Sequence, residues 1–447
     1  MTQGGIIRLL VAFALPLLIG NLFQQLYNTV DSIIVGNYVG KQALAAVGCT
    51  SSITNMLIGL FIGLSAGAGV VISQYYGAHD DELLRRAVSS TVCMTLGMCV
   101  VVTALGVTLT PTLLRLMETP DDVFDAACLY LRIYFAGVSG LLFYNIGAGI
   151  LRAVGDSTHP LYFLIFSAVT NTLLDLLFVK SFSLGIAGAA YATILSQAIS
   201  AVLVMAMLGR SEGAYRVDWR ALRVDAPVLR RIFAIGIPSS VQMAITGFSN
   251  IFVQSYVNRF GSSAMAGWAA YNRIDTFAML PLLSLSMAIT TFVGQNLGAD
   301  RMDRVRRGPF RCLLLAWGIT AVILIPLMVF APFLVGLFNG EADVVRYGSF
   351  FIRLISPFYL LCAINQVYSG ALRGAGDTKA AMAIMLFSFV AFRQLYLFLV
   401  YRLGGGIVWI SLGYPSGWIM CSLIMILYYY FGSWPKRCGL KKAQEQA

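Results

Sequence analysis

The sequence predicts an all-α integral membrane fold in which twelve transmembrane helices form two pseudo-symmetric six-helix bundles. Three observations predict this fold: the composition, a series of long apolar runs, and an internal duplication. Of the 447 residues, 58% are hydrophobic and 11% are charged, and the mean hydropathy is +0.79. A soluble domain carries about 25% charged residues. The composition therefore indicates that lipid surrounds most of this chain.

Long apolar runs follow one another along the whole sequence, separated by short breaks that contain charged residues or glycine. A helix needs about 20 mostly apolar residues to cross a bilayer. The first run passes Asp31 without a small-residue cleavage site, so it predicts a retained helix rather than a signal peptide. The predicted spans are 7–36, 44–73, 88–112, 127–152, 158–180, 184–208, 229–258, 263–293, 310–336, 348–373, 380–402 and 407–431.

The second half of the chain repeats the first at a constant offset. Ser73–Ala78 matches Gly294–Ala299, and Gly149–Ser157 matches Gly370–Thr378. Each copy contains six predicted helices, and an even number brings both copies into the membrane from the same side. The copies are therefore related by an axis along the membrane normal, as in transporters built from parallel repeats. The predicted segments are an N-terminal lobe at 1–208, a polar connection at 209–228, a C-terminal lobe at 229–434 and a tail at 435–447.

Lysine and arginine residues concentrate on one side of the predicted topology. With a cytoplasmic N-terminus, 21 of the 31 lie in inner loops and tails, and eight lie at the outer side. This bias predicts a multi-pass protein of the inner membrane with both termini in the cytoplasm. Topology and attraction to anionic lipid head groups then explain the net charge of +11, and no nucleic-acid partner is expected.

The cysteines and histidines indicate no metal site. The eight cysteines form no CxxC motif, and His79 and His159 fall in or at the edge of predicted loops. We therefore expect no disulfide framework, no metal and no resident cofactor.

Four polar residues inside three predicted spans form the strongest candidate site: Asp31, Asn171, Asp175 and Thr193. Asn171 and Asp175 are four residues apart, which places them on one helix face about 6 Å from each other. At a rise of 1.5 Å per residue, the two aspartates lie about 8 Å below the outer helix ends and the other two residues about 14 Å. Ionisable groups at such depth mark functional sites by default. In the alternative interpretation, the carboxylates are interfacial and pair with Lys180.

Several motifs together resemble the multidrug and toxic compound extrusion (MATE) family over essentially the whole chain. They are the helix Pro16–Asp31, the segment Val293–Ala299, the paired Arg-x-x-Gly-Asp-Ser/Thr loops, and Asn171 with Asp175. The resemblance implies a secondary active exporter of organic cations and amphiphilic drugs, driven by inward flow of protons or sodium ions. It also implies that the four polar residues form the ion-coupling site. We expect a monomer that is not an enzyme and whose partners are small organic cations and the bilayer.

Two glutamine and glycine pairs end long predicted helices, and two arginines stand in the paired loops. Glycine after a helix serves as a C-cap. We therefore expect helix termination and a cytoplasmic clamp here rather than contact with substrate. These gating candidates are Gln74, Gly77, Gln295, Gly298, Arg152 and Arg373.

The first predicted helix contains a proline that is a candidate hinge. The helix is about 42 Å long by its rise per residue, and Pro16 interrupts it. Proline is a common cause of sharp helix kinks. We expect the helix to bend at Pro16 when an ion neutralises the polar site.

Aromatic and charged residues of the C-terminal half are candidates for a substrate cavity, because aromatic faces attract organic cations. The set is Phe248, Trp268, Tyr271, Asp275 and Arg393. Asp275 and Arg393 fall near mid-membrane, where an unpaired charge costs about 2.5–3.5 kcal/mol, so they are predicted to pair. By the offset of the repeat, Arg393 corresponds to Thr172 in the first half.

Other interpretations stay open. A flippase for a lipid or a lipid-linked saccharide, from the same superfamily, would have a more cationic cavity and usually more than twelve helices. A polyprenyl transferase would need a DDxxD motif, and the chain has only isolated Asp-Asp pairs at 80–81 and 121–122. The major facilitator superfamily shares the helix count, but its regular loop motif is not matched. The coupling ion is also open, since amide and hydroxyl oxygens suit a hard cation and two carboxylates suit a shared proton.

Overall fold

The computed structural model describes residues 1–437 of the chain. Within that range it describes every side chain except those of Lys41, Ser52, Ile245, Thr246, Phe248, Lys436 and Arg437. Residues 438–447, most of the predicted tail, lie outside the described part. All regular secondary structure between residues 1 and 437 is helical, as the composition predicts.

Eleven helices in this range are long and apolar enough to cross a bilayer, and a bent pair of helices brings the number of spans to twelve. The predicted fold class is therefore confirmed. Short helices also follow the ninth and the last span, at Ala331–Gly336 and Trp434–Arg437. The first to twelfth spans are Ile6–Tyr38, Lys41–Gly77, Asp81–Leu116, the bent pair Asp121–Ala136 and Val138–Val154, Thr158–Ser181, Gly185–Arg210, Ala226–Phe260, Ser262–Gly298, Met302–Val329, Ala342–Ala375, Thr378–Arg402 and Ile407–Phe431.

The fourth span bends by 48° at its break, next to Gly137. A β-carbon on Gly137 would overlap the β-carbon of Ile194 in the sixth span. The fourth and sixth spans therefore meet at a distance that only glycine permits. Hydropathy alone predicted one continuous helix here, because a bend set by packing leaves the apolar run unbroken.

Hydrogen bonds between spans recur at the offset of the sequence repeat. The Ser65 hydroxyl donates to the Asn145 carbonyl over 3.1 Å, and the Ser286 hydroxyl donates to the Gln366 carbonyl over 2.8 Å. Ser65 and Ser286 are separated by the same offset as Ser73 and Gly294, and so are Asn145 and Gln366. The second and fourth spans therefore pack together as the eighth and tenth spans do, which confirms the duplication.

Unusual backbone conformations recur at the same offset. His79 and Asp300 both have φ of 55°, in the left-handed region that few residues other than glycine adopt. Gly155 and Gly376 also have left-handed φ, of 102° and 91°, and end the fourth and tenth spans. The loops that follow corresponding helices are therefore built alike in the two halves.

The chain separates into two compact units, one of Met1–Ala14 with Pro238–Ala447 and one of Leu15–Ile237. The boundaries fall next to Pro16 and Pro238, inside the first and seventh spans. Within the second unit, the connection between the halves is bound to the third span. The Ser90 hydroxyl accepts from the Asp225 amide over 2.9 Å, and Arg86 forms an ion pair of 3.4 Å with Asp225.

Candidate functional site

The predicted ion site lies in the unit Leu15–Ile237 and is formed by the first, fifth and sixth spans. Asn171, Asp175 and Thr193 are 1%, 0% and 5% exposed, and Asp31 is half-buried. The side chains of Asp31 and Asp175 are close enough to interact with each other. Two carboxyl groups at close range repel each other when both are ionised, which favours a proton or a cation between them. The structure therefore brings the two aspartates together, as the depth of each along its helix predicts.

The oxygens of this site have few hydrogen-bond donors. Both carboxylate oxygens of Asp175, Oδ1 of Asp31, and both polar side-chain atoms of Asn171 are buried without a hydrogen-bond partner. Native proteins leave few buried polar groups unsatisfied, and each one calls for a physical explanation. A proton or a cation held between these oxygens supplies that explanation, because it neutralises the buried charge.

The predicted alternative partner, Lys180, does not neutralise the aspartates. Its ammonium group lies over the ring of Tyr38, 5.5 Å from the ring centroid. No ion pair among residues 1–437 includes Lys180, Asp31 or Asp175. The site therefore contains two acidic groups and no compensating basic side chain.

A π-helical segment begins directly after Asp175, at Leu176–Ser181. The Asp175 side chain therefore stands where the helix changes from α-helical to π-helical hydrogen bonding. Such segments are rare, accommodate one extra residue in a helix, and are frequent at functional sites. Hydropathy does not reveal the change, because the residues on both sides of it are apolar.

Tyrosines and a glutamine surround the site, and none of them is among the residues predicted from the sequence. The Tyr27 hydroxyl contacts the Thr193 side chain, and Tyr134 contacts the side chain of Gln197. The rings of Tyr134 and Tyr130 stack with centroids 6.4 Å apart. Tyr27 and Gln197 lie four residues from Asp31 and Thr193, so the spacing of one helical turn could have found them.

In the other unit, Asp275 is bound by tyrosines. The Tyr359 hydroxyl donates to Asp275 Oδ1 over 2.5 Å, and the Tyr271 hydroxyl donates to the same oxygen over 3.3 Å. Tyr271 and Trp268 are each 1% exposed, with ring centroids 5.1 Å apart. The predicted cavity residues Trp268, Tyr271 and Asp275 therefore form one cluster. The side chain of Phe248 lies outside the described residues.

The predicted ion pair between Asp275 and Arg393 is wrong. Arg393 donates to Asn250 Oδ1 and to the Phe389 carbonyl, each over 3.2 Å, and its guanidinium stacks on the rings of Phe389 and Tyr414. A π-helical segment at Phe387–Phe392 immediately precedes Arg393 and turns it toward the seventh and twelfth spans. The charge of Asp275 is instead stabilised by the two tyrosine hydroxyl groups.

The paired glutamines are buried and held by basic groups within their own units. Arg231 donates to Gln74 Oε1 and, over 3.1 Å, to the Tyr75 hydroxyl. The Met1 amino group donates to Gln295 Oε1 over 2.6 Å. Gln74 is therefore fixed by a positive charge near the start of the seventh span. Gln295 is fixed by the positive charge of the Met1 amino group, just before the first span. These contacts agree with the expected structural role.

The glycines of these pairs do not act as predicted. Gly77 and Gly298 are the last helical residues of the second and eighth spans, and neither has a left-handed φ. The left-handed residue comes two positions later, at His79 and Asp300. Ala78 and Ala299 continue the turn, because their amides still bond to the carbonyls of the glutamines at 3.0 Å.

The two loop arginines occupy corresponding helix ends. Arg152 and Arg373 lie in the last turns of the fourth and tenth spans, before the left-handed Gly155 and Gly376. Arg373 donates to the Ser286 hydroxyl over 3.2 Å. No ion pair in the described ranges includes either arginine. Their assignment to gating stays a prediction, as does the hinge at Pro16.

Comparison with known proteins gives the family of the chain. The family model described as MatE matches residues 16–177 and 238–396. A protein of Bacillus subtilis (strain 168) described as "Probable multidrug resistance protein YpnP" is 31% identical over 97% of both chains. A Thermotoga maritima protein described as "Probable multidrug resistance protein NorM" is 26% identical over 97% of this chain and 94% of that protein.

Solved structures give the same fold. A MOP superfamily transporter from Pyrococcus furiosus superposes with a TM-score of 0.90 at 23% identity, over 97% of this chain and 98% of that chain. A structure described as an outward-facing multidrug resistance MATE family transporter also has a TM-score of 0.90 at 23% identity. At this identity the likeness concerns the fold. The family model, which matches both halves, and the Bacillus subtilis relative show the family: the chain belongs to the MatE family of multidrug and toxic compound extrusion transporters.

Proposed function

We propose that this protein exports organic cations and amphiphilic drugs across the inner membrane in exchange for protons or sodium ions. The observation that carries the proposal is the set of buried oxygens on Asp31, Asn171 and Asp175, which have no hydrogen-bond donor and no basic partner in the described part of the chain. A group of this kind binds and releases a small cation. The names of the bacterial relatives, which are described as multidrug resistance proteins, support the drug substrates.

The charge of the site provides a coupling mechanism. When the site faces outside, the two carboxyl groups share one proton that stays in the site, and a further proton or sodium ion neutralises the remaining negative charge, so the loaded site is stable in its apolar surroundings. The first span then bends near Pro16 and displaces the drug outward. One cation moving inward is driven by about 2.3 kcal/mol per 100 mV and by about 1.4 kcal/mol per tenfold gradient. Exchange for one monovalent drug cancels the electrical part, so the chemical gradient alone drives that exchange.

The proposed function also includes the orientation of the chain in the membrane and the molecules that it binds. The excess of lysine and arginine in alternate loops supports cytoplasmic termini and a cytoplasmic connection at 209–228. We treat the chain as a monomeric transporter with no catalytic role and no resident cofactor, whose partners are drugs, the coupling ion and lipid rather than nucleic acid.

Dye efflux from proteoliposomes tests the proposal. The purified protein is reconstituted with a fluorescent organic cation, and a pH gradient and a sodium gradient are imposed separately. We expect one gradient to move the dye uphill and the other to move it no faster than in protein-free liposomes. The gradient that works identifies the coupling ion. Absence of uphill movement with both gradients, in vesicles that hold the imposed gradient, would overturn the proposal.

A further inference from the structure

Arg393 is a buried cation without a carboxylate partner among the residues that the structure describes. Its side chain is 2% exposed and lies inside the eleventh span. Its guanidinium is held by Asn250 Oδ1, by the Phe389 carbonyl, and by the rings of Phe389 and Tyr414, whose centroids are both 5.1 Å away. Carbonyl oxygens and aromatic faces bind cations without neutralising them. The surroundings of Arg393 therefore form a binding site for a cation, and the chain itself supplies that cation.

The elements around Arg393 are the second copies of those that form the ion site. Its contacts come from the seventh, eleventh and twelfth spans. The ion site of the first half is formed by the first, fifth and sixth spans, which are their counterparts in the repeat. Tyr414 is also the counterpart of Thr193 at the offset of the repeat. Arg393 thus occupies the place in the second half that the coupling ion takes in the first.

The π-helical segments refine the correspondence of individual residues. The extra residue of the eleventh span lies before Arg393, whereas that of the fifth span lies after Asp175. The part of each helix that follows the first extra residue and precedes the second is therefore shifted. In this part, the offset that matches a residue of the fifth span to one of the eleventh span is one residue longer than in the rest of the repeat. Arg393 then corresponds to Asn171, not to Thr172 as the gapless offset predicts. Arg393 also packs against the twelfth span, because its Cβ lies 3.6 Å from a β-carbon placed on Gly417, the counterpart of Ser196 in the sixth span.

The second copy also lacks both carboxylates. With the longer offset, which also matches Pro16 to Pro238, Asp31 corresponds to Val253 and Asp175 to Leu397. Val253 and Leu397 are both 0% exposed. The first half thus has two acids that need a mobile cation, and the second half has two apolar residues and a fixed cation. The two copies therefore have opposite charge at the same place in the fold.

We propose that Arg393 is a permanent occupant of a second cation site, so that only the site in the first half exchanges ions. The link to coupling rests on the proposed function, whereas the occupancy of the site does not. The fixed guanidinium keeps the second half in the loaded form throughout the cycle. One ion-exchanging site per chain follows, although the fold is duplicated.

Chemical rescue tests the occupancy directly on the purified full chain. Arg393→Ala removes the guanidinium and leaves its volume empty, whereas Arg393→Met fills most of the volume without charge. A ligand that binds only the native state raises the Tm. We expect low-millimolar guanidinium chloride, compared with equal sodium chloride, to restore most of the Tm lost in Arg393→Ala and to leave wild type and Arg393→Met unchanged. Arg273→Ala, which removes an exposed arginine of the eighth span, is the matched control.

The proposal is overturned if guanidinium raises the Tm of Arg393→Ala no more than that of Arg273→Ala. A second measurement uses the wild type and does not depend on the folding of a variant. Equilibrium binding of radioactive sodium ions should saturate at no more than one ion per chain, and two sodium ions per chain would contradict the proposal. The Tm assay requires no transport, so a protein that moves no dye but shows guanidinium rescue separates failure of the proposed function from failure of this inference.

Discussion

Among residues 1–437, no hydrogen-bond donor reaches either carboxylate oxygen of Asp175. Its neighbour Asp31 adds a second carboxyl group instead of a counter-charge. A buried carboxylate without a partner has to be protonated or to coordinate a cation. The chemistry of the proposed exchange is therefore concentrated in two side chains, and the amide of Asn171 and the hydroxyl of Thr193 supply further oxygens.

Neutral substitutions of the two aspartates test this assignment. Asp31→Asn and Asp175→Asn keep the size of the side chain but cannot exchange a proton or attract a cation. We expect each to abolish drug resistance in an efflux-deficient host at unchanged membrane level, and we expect Thr193→Ala only to weaken it. Growth inhibition by a cationic drug and immunoblots of membranes measure the two quantities. Asp122→Asn, an exposed acid at the start of the fourth span, is the control. Wild-type resistance in Asp175→Asn would contradict the assignment.

Sequence alone could identify the acidic members of the site, because a carboxylate inside an apolar run is conspicuous. It could not identify Tyr27, whose side chain is ordinary in a membrane helix and whose role depends on its contact with Thr193. It also gave Arg393 the wrong partner. Spacing along one helix does not show that tyrosine hydroxyl groups already bind Asp275 or that a π-helical segment turns Arg393 away.

At the scale of elements, the two π-helical segments each adjoin a buried charge. Leu176–Ser181 follows Asp175, and Phe387–Phe392 precedes Arg393. Each extra residue turns the remainder of its helix by about 100° relative to a regular α-helix. In the fifth span the charged residue comes before the π-helical segment, and in the eleventh span it comes after the segment. The two copies of one helix therefore present different residues to the same neighbours.

Deletion of Phe387 tests the role of the segment in the eleventh span. Phe387 is 50% exposed, and its loss would let regular α-helical bonding continue. Arg393 would then turn by about 100° and leave Asn250 and Tyr414. We expect the purified deletion variant to have a lower Tm than Phe387→Ala, which loses the same ring but keeps the residue count. Equal Tm values for the two variants would contradict this account.

Substitution of Pro16 tests the predicted hinge in the first span. Pro16 lies next to the boundary between the two compact units, and its ring removes the hydrogen bond to the Ala12 carbonyl. Pro16→Ala restores that bond and stiffens the helix. We expect dye efflux to fall several-fold in this variant while its membrane level stays unchanged. Pro111→Ala, which changes a proline inside the third span and far from the boundary, should keep its efflux. Equal efflux in both variants would count against a hinge.

The spans themselves were predictable, and their interruptions were not. Length and hydropathy located all twelve spans, because lipid requires about 20 apolar residues for each. The bend at Gly137 and both π-helical segments depend on packing between helices, which leaves the pattern of apolar residues unchanged.

At the scale of the whole molecule, the charge distribution predicts the orientation. We expect Arg220→Cys, in the connection between the halves, to react with an impermeant thiol reagent only after cells are permeabilised. Asp121→Cys, at the start of the fourth span, should react in intact cells. The experiment requires a background without the native cysteines. Labelling of Arg220→Cys in intact cells would reverse the topology.

The duplication was also visible in the sequence, since motifs at one offset reflect equal loops and equal contacts between spans. The proposed functional difference between the halves was harder to predict from the sequence. It depends on a one-residue shift in the alignment of the two copies, which only the hydrogen bonding of the fifth and eleventh spans shows. In the proposed arrangement, a symmetric fold contains one site with two acids and a second site with a fixed cation.

The central claim is that the oxygens of Asp31 and Asp175 couple ion entry to drug exit. Its most direct test compares wild type with the double variant Asp31→Asn and Asp175→Asn in proteoliposomes, under the ion gradient that drives the wild type. The account predicts that wild type moves a cationic dye uphill and that the double variant, folded and equally reconstituted, lets the dye reach only equal concentrations on the two sides. Uphill movement of the dye by the double variant would contradict the claim.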